Sequence, residues 1–442
     1  MKVLKFGGTS VGSSDRIRHV GRLIRNSGRN IVVLSAMSGT TNTLVEIAGY
    51  LAKGNIPGAR ETLNGLRRKY AHVVEELFDT FETKKQVSAR LDRIFNLIAT
   101  FAREGEFTEV DEKEILAQGE LMSTALMKAH LDEQGIRCAM IDALDYMRIN
   151  DDGEPDMKHI TTHLHRQLEL EPDADLWLTQ GYICRNSKGD IDNLRRGGSD
   201  YSASIVGAVV EAEEIQIWTD IDGMHTGDPR WVENTRPVKE LHYEEAAELA
   251  YFGAKILHPT CVLPAQLHNI PVRLLNTMEP SAEGTLIANF SPDGSVKAVA
   301  AKDNVTAVKI KSGRMLLAYG FLHKVFETFD NYHTAIDMMS TSEVGVTVTI
   351  DNTEHLADIV EELKRFGTVS IDSDMVIICV VGDLDWRNGN KFCAKAVEAL
   401  GDIPVRMISY GGSNYNISML VKAEDKKRAL NALNNKLFTN NN

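Results

Sequence analysis

The sequence predicts an α/β fold in which a parallel-sheet domain precedes two smaller ferredoxin-like (βαββαβ) modules. Up to about residue 290, short apolar strands alternate with helical stretches, and this alternation is typical of a parallel sheet. Beyond that point the order changes to strand, helix, strand, strand, helix, strand, and it then begins a second time. With 442 residues, the chain is long enough for two or three such domains.

Bulk composition limits the classes of protein to which the chain can belong. Hydrophobic residues make up 43% and charged residues 25%, which is ordinary for a globular protein. The net charge of −13 argues against a general nucleic-acid binder, so an anionic substrate would need a locally basic pocket. No apolar run approaches the ~20 residues of a membrane span and no signal peptide is evident, so we expect a cytoplasmic protein with no membrane partner. The five cysteines form no C-x-x-C pair, which favours inert thiols over disulfides or zinc.

The first predicted strand ends in a glycine turn, LKFGGTS at positions 4–10. Gly7 and Gly8 carry no side chain where the chain leaves the sheet, so the backbone N–H groups there can approach an anion closely. Lys5 lies on the strand just before them. The stretch is not a P-loop, because Ser13 stands where that motif needs lysine. Taken alone, the stretch fits a tight strand-to-helix turn, in which glycine is needed only for the backbone geometry, at least as well as it fits an anion-binding turn.

The remaining elements of this domain follow from apolar patterns. IVVLS at 31–35 is a predicted strand that leads through the polar turn AMSGTTN into a helix, which completes a βαβ unit. Residues 55–130 have helical apolar spacing almost throughout. Strands return at 137–143, 176–184 and 215–223. Polar groups follow several of these strands, and open parallel sheets bind ligands beyond the carboxyl ends of their strands.

Further stretches concentrate side chains that bind ligands. In LRRGGSDYSAS at 194–204, two arginines, a glycine turn, a hydroxyl and a carboxylate precede a helix of small residues. Arginine grips a carboxylate or phosphate with two parallel hydrogen bonds, and although a capped helix with solvated arginines also fits, the density of such groups favours function. Thr219 and Asp220 end a strand in WTDIDGMHTGDPR, and Lys255 in FGAKILHP is a second candidate for phosphate. Glu120 in AQGELMST is either a paired core group or a ligand for an ammonium.

Three histidines, His159, His163 and His165, lie close together in KHITTHLHRQ. The first two could share one face of a helix, but no H-E-x-x-H motif is present. A solvated helix face is therefore favoured over a metal site, and we expect no metal ligands in the protein itself.

Residues 295–442 are predicted to form two interleaved ferredoxin-like modules. The first copy of the repeated pattern covers about 303–373 and the second covers 374–442. The second copy stops after its last helix, and the stretch 295–301 could supply the strand that it lacks. Residues 1–294 then form the N-terminal domain. Pairing of 295–301 only within the first module would contradict this interleaving.

Taken in order, the motifs KFGGTSVG, QGELMST, LRRGGSDYSA, WTDIDG…TGDPR and GAKILHP resemble those of the aspartate kinases, which have an amino acid kinase-like catalytic domain. The repeated C-terminal unit resembles their tandem ACT regulatory modules, and the likeness, to the monofunctional lysine-sensitive type, covers nearly the whole chain. It implies the reaction of ATP with L-aspartate to give ADP and 4-phospho-L-aspartate, the first step of the pathway to lysine, threonine and methionine. It also implies Mg²⁺, which would enter with ATP and be bound largely by phosphate oxygens.

The resemblance implies roles for matched positions in three groups. The catalytic group, which would hold the transferring phosphate, comprises Lys5, Gly7, Gly8, Asp200 and Lys255, with Asp200 orienting the lysines. The aspartate-binding group comprises Ser38, Thr41, Glu120, Arg196 and Ser199. The nucleotide-binding group comprises Lys5, Thr219, Asp220, His225, Arg230 and Lys255, and His225 stands where relatives commonly have tyrosine.

The chemistry of these residues agrees with the implied reaction. The side-chain carboxylate of aspartate, which ordinarily has a pKa of ~3.9, is ionised at pH 7, so no general base is required. Two anions must meet in line, and the protein must supply positioning and positive charge. Lys5 and Lys255 would do so for the phosphates, while Arg196 can hold the α-carboxylate in a fork and Glu120 can take the α-ammonium.

The stretch FLHKVFETFDNYHTAIDMMSTSEVGV at 321–346 resembles the effector site of lysine-inhibited aspartate kinases, where the effector binds between the regulatory modules of two subunits. The implied effector residues are Met315, Asp337, Thr341, Ser342, Glu343 and Val344. Taken alone, the stretch fits an ordinary strand turn with capping hydroxyls equally well. The acids at 337 and 343 suit a cationic effector better than threonine. We therefore expect a homodimer or higher homo-oligomer that L-lysine inhibits.

Two alternatives remain at this point. A related amino acid kinase could act on another substrate, such as glutamate, acetylglutamate or a nucleotide, although it would not be expected to carry GELMST or a double regulatory module in this form. A non-catalytic amino-acid sensor would use only the C-terminal modules, and the lysines and the RGGSD stretch argue against it.

Overall fold

The structure, a computed structural model, describes residues 1–25, 28–102, 106–194, 197–253, 259–290, 294–312, 319–385, 387 and 391–438. The chain divides into two units by the contacts of its backbone. The first unit comprises Met1–Gly223 and Ile256–Asn289, and the second unit comprises Met224–Lys255 and Phe290–Asn442.

The first unit contains both strands and helices. They are β1 (Lys2–Phe6), α1 (Ser14–Arg25), β2 (Asn30–Leu34), α2 (Thr40–Ala52), α3 (Ile56–Leu77), α4 (Phe81–Thr100), α5 (Glu109–Glu133), β3 (Ala139–Met140), α6 (Ala143–Tyr146), α7 (Met157–Leu170), β4 (Leu176–Gln180), β5 (Ile183–Arg185), β6 (Ile191–Asn193), α8 (Gly198–Val209) and β7 (Ile215–Thr219). After β8 (Glu240–His242) and α9 (Tyr243–Tyr251), which belong to the second unit, the first unit resumes with α10 (Pro259–Leu267), β9 (Val272–Asn276) and β10 (Thr285–Ala288).

A largely parallel sheet forms the centre of the first unit, with the strand order β3-β4-β2-β1-β7-β9-β10. Neighbouring strands from β3 to β9 run parallel, and β10 is antiparallel to β9. The predicted strand at 31–35 is confirmed as β2, whereas the stretch 176–184 is divided into β4 and β5. Only Ile215–Thr219 of 215–223 and only Ala139–Met140 of 137–143 form strands. Because β1, β2, β4 and β7 run in the same direction, their carboxyl ends lie at one edge of the sheet.

The predicted helical stretch at 55–130 consists of three helices, α3, α4 and α5, and polar caps mark where each begins. The side chains of Asn55 and Thr80 accept hydrogen bonds from backbone N–H groups in the first turns of α3 and α4. Thr108 and Asp111 form a reciprocal capping box at the start of α5. These caps satisfy N–H groups that have no partner within the helix, and they divide the predicted helical stretch into three helices.

The face of α4 that packs on the core follows from helical spacing. Leu91, Phe95 and Ile98, four and three residues apart, are buried in the same cluster as one apolar face of β1 and β2. Leu97 lies on the other face and is 37% exposed.

The elements of the C-terminal part of the second unit are two series of strands and helices. They are β11 (Val296–Lys311), α11 (Phe321–Asn331), β12 (Met339–Ser342), β13 (Gly345–Ile350), α12 (Leu356–Leu363), β14 (Thr368–Gly382), α13 (Lys391–Leu400), β15 (Met407–Tyr410), β16 (Asn416–Lys422), a 3-10 turn (Ala423–Asp425) and α14 (Lys426–Phe438). They form one sheet with the order β12-β13-β11-β14-β16-β15.

Two long strands, β11 and β14, join the two modules in this sheet. Residues 306–311 of β11 pair with 345–350, and residues 307–311 also pair with 368–372, all within the first module. Residues 296–302 of the same strand pair with 377–382, which open the second module. Each module thus has its fourth strand beside its first, followed by its third and second, the ferredoxin-like order. This pairing is what the interleaved arrangement requires, and it confirms the predicted fold class.

The described residues 224–253 belong to the second unit. Val232 is buried in the core formed by side chains of β11, β14 and β16, and Asn416 Nδ2 donates a hydrogen bond of 2.5 Å to Glu248 Oε2. The predicted N-terminal domain, 1–294, includes this segment and so differs from the observed packing. The reason is that the sequence around a single apolar residue in a polar loop does not indicate in which hydrophobic core that residue is buried. The domain boundary itself stays a prediction.

Other features of the described residues bear on membranes and metals. No described helix is long and apolar enough to cross a membrane. His159 and His163 stack on α7 with ring centroids 3.8 Å apart, and His165 is exposed. Among the residues that the structure describes, no three His, Cys, Asp or Glu side chains cluster as a metal site.

Truncation of two leucines on α4 tests this packing. Leu91→Ala should lower the free energy of unfolding by about 2–5 kcal/mol, because it leaves a cavity in the core. Leu97→Ala is the matched control and should cost less than about 1 kcal/mol, because Leu97 is partly solvated. Urea denaturation followed by circular dichroism measures both, and equal losses would contradict the assigned orientation of α4.

Candidate functional site

A cleft of about 380 Å³ lies at the carboxyl edge of the parallel sheet in the first unit. It is bounded by the loop after β1, by the segment from the end of β2 into α2, by α5, and by the start of α8. Its lining residues are Lys5, Gly8, Ser35, Ala36, Met37, Ser38, Gly39, Thr41, Asn42, Glu120, Tyr182, Gly197, Gly198, Ser199 and Asp200. The predicted residues that the cleft brings together are Lys5, Gly8, Ser38, Thr41, Glu120, Ser199 and Asp200.

An ion pair anchors one side of the cleft. Lys5 Nζ lies 2.6 Å from Asp200 Oδ1, and both side chains are nearly buried. Lys5 is delivered by β1, and Asp200 lies in the first turn of α8. A Cβ atom on Gly8 would lie 2.8 Å from the carbonyl oxygen of Ala36, so the loop after β1 needs glycine to fold this closely. The arrangement is consistent with the predicted orienting role of Asp200.

The first turns of two helices line the same cleft. The residues before them are Gly39 for α2 and Gly197 for α8, both left-handed with φ of 79° and 80°. Neither glycine can cap its helix with a side chain. The first backbone N–H groups of both helices thus reach the cleft without a capping side chain, which favours an anion there, and Asp200 in the first turn of α8 offsets only part of that helix's dipole.

Glu120 supplies an isolated acceptor within this positive environment. The residue is 3% exposed, and its Oε1 accepts a hydrogen bond of 3.1 Å from the backbone N–H of Ala36. Its Oε2 is buried and has no hydrogen-bond partner among the described residues. Burial raises the pKa of Glu120 to about 8, although the Ala36 N–H and the charge of Lys5 oppose the shift. A cationic group in the cleft would satisfy the second oxygen.

Close helix packing places Glu120 at the cleft. A Cβ atom on Gly119 would lie 2.9 Å from Cβ of Ala36, so the glycine lets α5 approach the loop after β2. This glycine precedes Glu120 in the AQGELMST motif, and the geometry explains why the two occur together.

Two candidate functional residues, Tyr182 and Lys69, were not predicted from the sequence. Tyr182 lines the cleft between β4 and β5 in a left-handed conformation with φ of 66°, and burial raises its pKa to about 12. The sequence could have indicated this role, because Tyr182 directly follows TQG at the end of a predicted strand. Lys69 donates a hydrogen bond of 2.6 Å from Nζ to the carbonyl oxygen of Ser38, and burial lowers its pKa. A single lysine in the middle of α3 carries no such signal.

Four predicted nucleotide-binding residues besides Lys5 are among the described residues. Thr219 and Asp220 end β7 in the first unit, with Thr219 Oγ1 donating to Asp220 Oδ1 at 3.1 Å, and neither lines the cleft. In the second unit, Arg230 is exposed and pairs with Asp228 at 2.6 Å, which raises the pKa of the guanidinium. The ring of His225 lies 3.3 Å from Thr235 Oγ1.

Three predicted site residues lie outside the described residues: Arg196, Lys255 and Met315.

The predicted effector residues of the second unit fall into two environments. Thr341, Ser342, Glu343 and Val344 are exposed at the turn between β12 and β13. The carboxylate of Asp337 is almost fully buried, and Oδ1 accepts hydrogen bonds from Lys302 Nζ at 2.5 Å and from the Tyr251 hydroxyl at 2.8 Å. Burial raises the pKa of Asp337. The acid predicted to meet an effector's ammonium is thus held by an ammonium of its own chain.

Comparison with known proteins gives consistent matches over the whole chain. Residues 1–276 match the amino acid kinase family, and residues 378–437 match the ACT domain. The chain is 33% identical over 453 residues to lysine-sensitive aspartokinase 3 of Escherichia coli, with 99% of each protein covered. It is also 33% identical to the chloroplastic aspartokinase 3 of Arabidopsis thaliana, with 99% of this chain and 81% of that protein covered.

Solved structures agree with the sequence matches. The crystal structure of E. coli aspartokinase III in complex with aspartate and ADP (R-state) has a TM-score of 0.87 at 32% identity, with 99% of this chain and 100% of that chain covered. The same enzyme in complex with lysine and aspartate (T-state) has a TM-score of 0.82, with 99% of each chain covered. The parallel-sheet unit with its lysine-glycine turn, the interleaved ferredoxin-like modules and these matches lead to one conclusion: the chain belongs to the aspartokinases of the amino acid kinase family.

Proposed function

We propose that the protein transfers the γ-phosphoryl group of ATP to the side-chain carboxylate of L-aspartate, giving 4-phospho-L-aspartate and ADP. The observation that carries the proposal is the composition of the cleft, which combines two uncapped helix N-termini with a buried carboxylate oxygen that lacks a partner among the described residues. An amino acid that presents both an anion and an ammonium satisfies both features at once.

Phosphoryl transfer to a carboxylate requires positioning and positive charge rather than a base. The nucleophile is already ionised at neutral pH, so the barrier arises from bringing two anions into line. Lys5 faces the transferring phosphate, and Asp200 holds its ammonium in place. The N-terminal turns of α2 and α8 add partial positive charge that needs no reorganisation during the reaction. Gly8 keeps the backbone open for the phosphate, and magnesium enters with ATP, held largely by phosphate oxygens.

The aspartate substrate contacts the other side of the cleft. Glu120 takes the α-ammonium through the oxygen that has no described partner. The hydroxyls of Ser38, Thr41 and Ser199 contact the carboxylates. Arg196 precedes Gly197 in the sequence. We assign it to the α-carboxylate because a planar guanidinium can donate two parallel hydrogen bonds to the two oxygens of a carboxylate.

Nucleotide contacts are assigned from the matched motifs. Thr219 and Asp220 end β7, and the following loop carries His225 and Arg230. Lys255 completes the set as the second cation for phosphate.

Inhibition by L-lysine is the proposed control of this activity. The E. coli relative is named lysine-sensitive, and its structure was solved with lysine and aspartate in the T-state. In this chain, the exposed hydroxyls and acid at 341–343 and the buried Asp337 suit a small cationic amino acid. We further propose that the protein acts as a homodimer or higher oligomer in the cytoplasm, at the first step towards lysine, threonine and methionine.

Loss of the strand-tip cation tests the catalytic assignment. Lys5→Ala should lower kcat about 10²- to 10³-fold, the usual effect of removing one preorganised group that stabilises a transition state. Lys2→Ala is the matched control on the same strand, because Lys2 pairs with Glu214 outside the cleft and is 42% exposed, and its kcat should be unchanged. ADP formation with saturating aspartate measures both. Near-normal turnover of a folded Lys5→Ala protein would remove Lys5 from the site.

The raised pKa of Glu120 predicts a pH dependence for aspartate. Below about pH 8 the carboxyl of the free enzyme is mostly protonated and cannot attract the α-ammonium. The value of kcat/KM for aspartate should therefore rise with pH, by up to about tenfold per unit, and level off above pH 8. Glu120→Gln should show a much lower kcat/KM without this rise. A flat wild-type profile between pH 6 and 8 would argue against Glu120 as the ammonium ligand.

The effector assignment predicts a selective loss of inhibition. Ser342→Ala should raise the lysine concentration that gives half inhibition about fivefold or more, since one hydrogen bond is worth about 1 kcal/mol, and should leave the uninhibited rate intact. Ser373→Ala, at another exposed serine of the second unit, is the control and should behave as wild type. Inhibition of the wild-type protein by threonine but not by lysine would show that the effector is wrongly assigned.

A further inference from the structure

Residues 224–238, which we call the anchored loop, fold into a closed structure within the second unit. Its two limbs are joined by backbone hydrogen bonds, from Thr226 N to the Arg236 carbonyl at 2.9 Å and from Val238 N to the Met224 carbonyl at 2.7 Å. The loop carries both His225 and Arg230, two of the side chains proposed to contact the nucleotide.

The side chain of Asn431 on α14 holds the backbone of this loop at two points. Its Nδ2 donates a hydrogen bond of 2.9 Å to the carbonyl oxygen of Trp231, and its Oδ1 accepts one of 3.3 Å from the N–H of Glu233. An amide is suited to this task, since one side chain offers a donor and an acceptor side by side. The two bonds fix the chain immediately after Arg230.

Two further contacts from α14 flank this amide. Asn434, one turn further along, is 2% exposed, and its Oδ1 accepts a hydrogen bond of 3.3 Å from Thr226 Oγ1. Lys426 is 7% exposed, and its Nζ lies 4.1 Å from the centroid of the Trp231 ring and 2.7 Å from Asp303 Oδ2. A cation desolvated over an aromatic face is a strong contact for its size. The anchored loop is thus tied to α14 both near His225 and next to Arg230.

The anchored loop is attached to the core of the second module even without its contacts to α14. Val232 already buries its side chain in the core of the second module, and the Val299 N–H donates to the Thr226 carbonyl at 2.9 Å. The bonds from Asn431 lie near the surface and add little buried apolar area. Their effect is to restrict the backbone around Arg230 to one conformation.

We propose that Asn431 and Lys426 are positioning residues for nucleotide binding, which hold the anchored loop in the conformation that presents His225 and Arg230 to ATP. The inference rests on the proposed nucleotide role of that loop. A loop that is already ordered needs no further ordering when the ligand binds, so the measured affinity approaches the intrinsic one. Loss of the ties lowers the fraction of molecules that are competent to bind ATP without altering the aspartate cleft.

The test compares two asparagines of α14. Asn431→Ala should raise KM for ATP and Kd for ADP, measured by titration calorimetry, about three- to tenfold, with KM for aspartate and the melting temperature nearly unchanged. Asn435→Ala is the matched control, because Asn435 is exposed on the same helix, and all four quantities should stay at wild-type values. Lys426→Met removes the ammonium over the Trp231 ring but keeps an unbranched side chain, and it should change the same two nucleotide constants, which provides a second variant if the first folds poorly.

Arg230→Ala separates this inference from the function on which it rests. If Arg230→Ala does not weaken ADP binding, the loop has no nucleotide role, and both assignments are wrong. If Arg230→Ala weakens ADP binding while Asn431→Ala and Lys426→Met match the control, only the positioning role is wrong. A parallel rise of both KM values with a lower melting temperature in both α14 variants would show a purely structural role and would also overturn the inference.

Discussion

The ion pair between Lys5 and Asp200 is the constraint around which the first unit is arranged. Burying the ammonium of Lys5 at the end of β1 costs free energy unless a carboxylate pairs with it. Asp200 can pair with it only because α8 begins beside β1. The pair neutralises its own charge and therefore cannot alone attract a phosphate. The uncapped N-termini of α2 and α8 supply the missing positive field, and this requires glycine at positions 39 and 197 rather than a capping side chain.

Glu120 shows how the cleft opposes stability. Its carboxyl is buried without a full set of described partners, so its pKa rises from 4.5 to about 8. Between these pH values the folded protein retains a proton that the unfolded chain releases, and this carboxyl therefore lowers stability as the pH rises through that range. A buried group that weakens the fold in this way is expected where a substrate completes its environment.

Sequence patterns predicted the features of the fold that depend on residues close together in the chain. The parallel strands, the glycine turn after β1 and both ferredoxin-like series could be identified in this way, and the resemblance to a family supplied seven of the fifteen residues that line the cleft. The contribution of Lys69 could not, because only the folding of α3 against the loop after β2 brings it to Ser38. The packing of residues 224–238 could not be predicted for a similar reason, since the contacts of Val232 and Asn431 join segments that are far apart in the sequence. Long-range contacts of single polar residues leave no periodic trace.

The proposed effector site has a consequence for how selective it can be. Asp337 already accepts hydrogen bonds from Lys302 and Tyr251, so an incoming ammonium gains only the difference between its own contacts and those of Lys302. A simple amine therefore has little advantage over the resident lysine. An amino acid that also engages the exposed hydroxyls of Thr341 and Ser342 gains contacts that Lys302 cannot offer. Because Tyr251 ends α9, its release would free that end of the helix, so competition at one carboxylate could change the packing of the second unit.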